Sequence, residues 1–158
     1  MYSNALAIDN FEQETPPINN MLMPKLGAPL KILLVEDNAG DAELTRIALG
    51  DTRVPYTLEQ LHKGSDVLPY LTQKSQRNTI FPDLILLDLG LPGEDGFEIL
   101  AEISAMRGTI HDIPIVILTG FENFDYLKKS YELSITDYLT KPCDTGKLRD
   151  IIARIGYY

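Results

Sequence analysis

Short apolar runs, each ending on a charged or hydroxyl residue, set the strongest limit on what this chain can fold into. Leu30–Val35 runs into Glu36-Asp37, Leu84–Leu87 into Asp88 and Ile115–Leu118 into Thr119. A fourth stretch, Ile135–Leu139, is followed by Lys141-Pro142. Runs this short and this continuous are expected of strands covered on both faces, the condition of a parallel sheet. The C-terminal ends of parallel strands share one edge, and open α/β sheets place their sites there. Four distant stretches are therefore expected to deliver Glu36, Asp37, Asp88, Thr119 and Lys141 to one pocket.

Helical segments are predicted between the runs. Asn38 suits the cap of a first helix reaching about Leu49, with Leu44, Ile47 and Ala48 as its apolar face. Tyr56–Leu61 alternates and reads as a weaker strand. Ser65 suits the cap of a second helix, Asp66 to about Lys74, with Pro69 tolerated in its first turn. Gln73–Phe81 reads as a loop, and Gly90–Gly96 as a turn-rich one. Ile99, Leu100, Ile103 and Met106 mark a third helix ending near Gly108. Asn123–Leu133 is a fourth, with a thin apolar face of Leu127 and Tyr131. Leu148, Ile151, Ile152 and Ile155 fall at the spacing of a fifth.

Five β-α units with right-handed crossovers predict one doubly wound, flavodoxin-like α/β domain. Its parallel five-stranded sheet is expected in the order 2-1-3-4-5, with the switch point between strands 1 and 3. Those two strands end in Glu36-Asp37 and Asp88. Residues 1–29, with Pro16, Pro17, Pro24 and Pro29 and no sustained period, are predicted to be a mostly irregular extension before a domain at 30–158.

Composition excludes several function classes. The net charge of −9, from 23 acidic and 14 basic residues, offers no cationic face for nucleic acid or anionic lipid. No apolar run approaches the roughly 18–20 residues of a membrane span, and the N-terminus lacks the pattern of a secretory signal. The single cysteine, Cys143, fits a reducing compartment, so a cytoplasmic location is expected. No phosphate-binding glycine motif supports nucleotide binding. Asp88 is followed by Leu89-Gly90, not by the second aspartate of aspartyl-phosphate phosphatases.

The expected pocket has a definite chemistry. Crowded carboxylates repel one another, and at least one should have a raised pKa unless a cation relieves them. Oxygen-only ligands suit Mg²⁺, which prefers one or two carboxylates plus waters and phosphate. Lys141 and Thr119 could hold phosphoryl oxygens beside it. An aspartate can take a phosphoryl group as an acyl phosphate.

The strings ILLVEDN (32–38), PDLILLDLGLPGEDG (82–96), IPIVILTG (113–120) and ITDYLTKP (135–142) together resemble the receiver domain of two-component response regulators. The resemblance covers residues 30–156. It implies that Asp88 is the phosphoacceptor. Asp37, Asp88 and the Gly90 main-chain carbonyl would ligate Mg²⁺ (or Mn²⁺), with Glu36 supporting indirectly. Lys141 and Thr119 would bind the phosphoryl group, and the bond to Pro142 would be cis. Tyr138 would change rotamer as Thr119 moves. The implied partner is a histidine kinase or a phosphotransfer protein, and the implied role is a signalling one rather than that of a turnover enzyme. The surface expected to respond is the fourth helix, fifth strand and fifth helix, roughly 121–156. The chain ends soon after, so a stand-alone module that acts by binding is expected.

VEDNAGDAELTRIAL, LAEISAM and SYELSITDYLTKP further resemble the cyanobacterial single-domain regulators that partner phytochrome histidine kinases. That likeness implies a phytochrome-type kinase as partner, and a homodimer through the same surface. The alternative is a pseudo-receiver of this fold that binds proteins without being phosphorylated; a flavin carrier or an enzyme on the same fold is the remaining one. His62 and His111 read as surface residues, Cys143 as a small structural one, and Tyr157-Tyr158 as a frayed end or a dimer contact.

Overall fold

The five runs assemble into one parallel sheet. In the computed structural model, which describes residues 27–106, 112–120 and 124–157, strands β1 (Leu30–Val35), β2 (Tyr56–Leu61), β3 (Leu84–Asp88), β4 (Ile115–Thr119) and β5 (Asp137–Thr140) lie in the order β2-β1-β3-β4-β5. Helices α1 (Ala39–Asp51), α2 (Val67–Gln76), α3 (Gly96–Ala105), α4 (Phe124–Glu132) and α5 (Thr145–Arg154) connect and follow them. The doubly wound, flavodoxin-like arrangement is the one expected from the alternation of runs and helices.

Side chains on a strand point alternately to the two faces, so each run feeds two cores. Leu33, Val35, Ile85, Leu87, Ile115 and Ile117 pack with Val67 and Leu71 of α2, Leu100 and Ile103 of α3 and Leu127 of α4. Ile32, Leu34, Leu84, Leu86, Val116 and Leu118 pack with Ala42, Ala48 and Leu49 of α1 and Leu148, Ile151 and Ile152 of α5. Burial on both sides explains why these runs do not alternate in polarity.

Register then sets what meets at the C-terminal edge. Val35 pairs with Leu87, so Glu36 is level with Asp88. Asp88 pairs with Leu118, and Thr119 with Thr140, so Lys141 sits just past the end of the sheet.

Several local expectations are corrected. The buried face of α1 is Ala42, Thr45, Ala48 and Leu49, whereas Leu44 and Ile47 are exposed by 47% and 52%. At about 100° per residue Leu44 lies about 200° round from Ala42, and small residues let the helix sit close to the sheet. Tyr131 of α4 is exposed, and Ser130 takes the buried place, donating its hydroxyl to the Tyr126 carbonyl at 2.8 Å. α2 extends to Gln76, into the expected loop. β5 begins two residues later than expected, and the Ile135 amide donates to the Ser130 carbonyl of α4 at 3.5 Å rather than to a strand. Tyr157 is buried in the α1–α5 core rather than frayed. α3 ends at Ala105, earlier than the expected end near Gly108, because Met106 is already in extended backbone. His62 is exposed, and His111 and Tyr158 lie outside the described residues.

Candidate functional site

Each site residue is placed by a strand end and the turn that follows it. Glu36 follows β1 directly, its amide donating to the Leu61 carbonyl at 3.0 Å and its carbonyl accepting from Gln60 Nε2 at 2.9 Å. The side chain is fully buried and accepts from the Asn38 amide at 3.1 Å. Asp37 follows on the exposed side of the turn. Asn38 caps α1, its side chain accepting from the Asp41 amide at 2.9 Å. Asp88 ends β3, is only 5% exposed, and receives the Gly90 amide on Oδ1 at 2.8 Å.

Lys141 is carried past β5 by its amide, which donates to the Thr119 carbonyl at 2.7 Å. Its ammonium donates to Glu36 Oε2 at 2.6 Å, Asp88 Oδ2 at 3.0 Å and Asp41 Oδ2 at 3.0 Å. The Lys141–Pro142 bond is cis. Thr119 stands half-buried at the end of β4, one residue beyond the position opposite Asp88. Tyr138 faces the α2–α4 side of the sheet, and the Lys147 ammonium lies 3.6 Å from its ring centre. Glu36, Asp37, Asp88, Thr119 and Lys141 therefore meet at one edge, and Tyr138 lies beside the α4–α5 surface.

Asp41 is the site residue that sequence reasoning missed. It looks like an ordinary acid in the first turn of a helix, a place acids favour. Its signal was its spacing: one helical turn after Asp37, behind a cap that fixes its direction. The electrostatics follow from this crowding. Burial pushes the Glu36 carboxyl above its usual range, with the charge of Asp88 adding to the effect, despite the Lys141 and Asn38 bonds. Desolvation works against the Lys141 ammonium, but its bonds to Glu36, Asp41 and Asp88 hold its pKa well above the usual lysine value.

Carboxylate oxygens of Glu36, Asp37 and Asp88 lie within 4.8 Å of one another. No histidine or thiolate belongs to this group, and an all-oxygen donor set of this charge fits Mg²⁺ or Mn²⁺ rather than a softer ion. Acids, an ammonium and a strand-end hydroxyl at the switch point of a 2-1-3-4-5 sheet form one constellation, and the profile of the response regulator receiver domain family matches residues 32–153. The chain belongs to that family. Receiver domains are parts of two-component signalling proteins, and this one is 41% identical over 128 residues to the response regulator Rcp1 of Synechocystis sp. (80% of this chain, 84% of that one). The receiver fold superposes on the crystal structure of the phosphorylated cyanobacterial phytochrome response regulator RcpA with a TM-score of 0.64. That pair is 40% identical, covering 81% of this chain and 91% of the other. The Mn²⁺-bound form of Rcp1 gives a TM-score of 0.63 at 38% identity, covering 80% of this chain and 91% of that one. Among the described residues, no helix of this receiver domain is long and apolar enough to cross a membrane.

Proposed function

We propose that the chain is a stand-alone, cytoplasmic phosphoacceptor module that takes a phosphoryl group from a histidine kinase or phosphotransfer protein onto Asp88. The observation that carries this reading is the Lys141 ammonium, held 3.0 Å from Asp88 Oδ2 at the sheet edge where the acids converge. Asp37, Asp88 and the Gly90 carbonyl would hold Mg²⁺ or Mn²⁺, with Glu36 supporting them. When bound, the cation neutralises charge on the transferring group and its acceptor.

Asp88 attacks phosphorus in line, the bond from phosphorus to the donor histidine nitrogen breaks, and an aspartyl phosphate forms. Lys141 exchanges its bond to Asp88 for one to a phosphoryl oxygen, so its charge follows the group. Thr119 donates its hydroxyl to another. The protein's contribution is positioning and electrostatic stabilisation.

Contacts made only in the phosphorylated state shift the population of conformers. Tyr138, on the strand paired with that of Thr119, transmits that shift. The responding face is α4, β5 and α5, where Asp137 is tied to Arg154 and, at 3.8 Å, to Lys147. This face is the site of output binding, including homodimer formation. The likeness to Rcp1 and to RcpA supports a phytochrome-type kinase as the donor.

Incubation with acetyl phosphate or phosphoramidate and Mg²⁺, followed by intact mass measurement, tests the reading. One added phosphoryl group is expected, absent in Asp88→Asn. An unlabelled wild-type chain would leave a pseudo-receiver that only binds proteins.

A further inference from the structure

The loop between β3 and α3 is tied to a distant part of the chain by one side chain. Glu94 reaches across to the segment before α2, where its Oε2 accepts from the Gly64 amide at 2.6 Å and its Oε1 from the Ser65 amide at 2.8 Å. These amides open the 3-10 turn Gly64–Asp66 that leads into α2. The first amides of a helical segment lack internal partners, and a nearby side chain normally accepts from them. Neither Lys63 nor Asp66, the residues in the capping positions, makes such a bond with its side chain. A residue about thirty positions away does so instead, with both carboxylate oxygens.

The fit is close enough to constrain the neighbouring residues. A Cβ on Gly64 would fall 1.9 Å from Ile99 Cδ1 of α3 and 3.1 Å from Glu94 Oε2, so a side chain there would have to displace Ile99 and crowd the Glu94 carboxylate. The rest of the β3–α3 loop is also short of slack. The Gly90 amide is bonded to Asp88, and the Glu94 amide donates to the Leu91 carbonyl at 3.3 Å. Gly93 turns the chain at a φ of +70°, and the Asp95 side chain caps α3 by accepting from the Phe97 amide at 2.9 Å. Gly90 thus directly precedes the Leu91–Glu94 turn, in a stretch that is fixed at its start by Asp88 and at its end by Glu94.

We propose that Glu94 is a positioning residue that clamps the β3–α3 loop to the start of α2, and so holds the Gly90 carbonyl where it serves the cation. The inference rests on the functional reading above. It assigns to Glu94 a role in cation affinity and none in the chemistry at phosphorus. A group that orients a ligand from behind commonly changes metal affinity by an order of magnitude when lost.

The test compares wild type, Glu94→Ala and Glu94→Gln in the full chain. Mg²⁺ binding is measured by calorimetry, thermal stability without Mg²⁺, and the initial rate of labelling by acetyl phosphate at saturating Mg²⁺. Glu94→Ala is expected to weaken Mg²⁺ binding on the order of tenfold, with the labelling rate at saturation close to that of wild type. Glu94→Gln keeps one acceptor oxygen and is expected to recover part of the affinity. A lowered melting temperature with unchanged Mg²⁺ affinity in both variants would make Glu94 a structural cap only and overturn the proposal. So would a labelling rate that stays depressed at saturating Mg²⁺. Failure of the wild-type chain to bind Mg²⁺ or take up phosphoryl groups would instead remove the functional reading, and this inference with it.

Discussion

Lys141 is the residue on which the site's electrostatics turn. Its ammonium faces Glu36, Asp41 and Asp88 at once, and the Glu36 side chain has no exposed surface. Removing one partner of a buried ion pair leaves the other's charge uncompensated, at a typical cost of about 3–5 kcal/mol. Lys141→Met is therefore expected to lower unfolding stability by about that amount without Mg²⁺, and Mg²⁺ should restore part of it. The folded-state pKa of Lys141 is raised above the ordinary value of 10.5, so its contribution is complete below that value and is lost only as pH climbs through the raised one. Denaturant titrations of the variant and wild type should show a constant difference through neutral and mildly alkaline pH. A difference that fades as pH rises from neutral, before the ordinary lysine value is reached, would contradict the ion-pair assignment. Lys141 was legible in the sequence as a cation at a strand end. Its bond to Asp41 was not, because it depends on the direction in which the α1 cap points that carboxylate.

At the scale of elements, strands were more legible than helices. A continuous apolar run such as Leu84–Leu87 has one stable use in a chain of this kind, between two layers of helix. A helix instead shows only a stripe, and the stripe of α1 is drawn in small residues: Ala42, Thr45 and Ala48 are buried while Leu44 and Ile47 are not. Hydrophobicity alone selects the wrong side there, since close approach matters more than area. The start of α2 was illegible for another reason. Ser65 has the chemistry of a cap, yet the acceptor is Glu94 on another loop, a pairing set by the fold. Asn38 shows the opposite case, a cap read correctly from its neighbours. Asn38→Ala is expected to cost about 1 kcal/mol in chemical unfolding. It should also loosen Asp41 from Lys141, because the Asn38 side chain holds the Asp41 amide. No loss of stability would contradict the cap.

Across the whole molecule, the sheet's register gathers acids that would not choose to be together. Glu36, Asp37 and Asp88 converge on a chain whose net charge is already −9. A site built on repulsion is expected to make the native state a better cation binder than the unfolded chain, so cation binding should stabilise it. Millimolar Mg²⁺ is expected to raise the melting temperature of wild type, and Asp37→Ala should remove most of that rise. A melting temperature indifferent to Mg²⁺ in both would contradict the metal assignment. The arrangement was visible in the sequence because four apolar runs each ended on a functional residue, and parallel pairing converts four ends into one edge. The central claim is that this edge exists to phosphorylate one aspartate. It is tested most directly by treating the chain with acetyl phosphate and Mg²⁺, reducing with borohydride, and mapping the peptides by mass. An aspartyl phosphate is reduced to homoserine, and the expected result is that conversion at position 88 alone. No conversion, or conversion at another carboxylate while Asp88 stays intact, would contradict it.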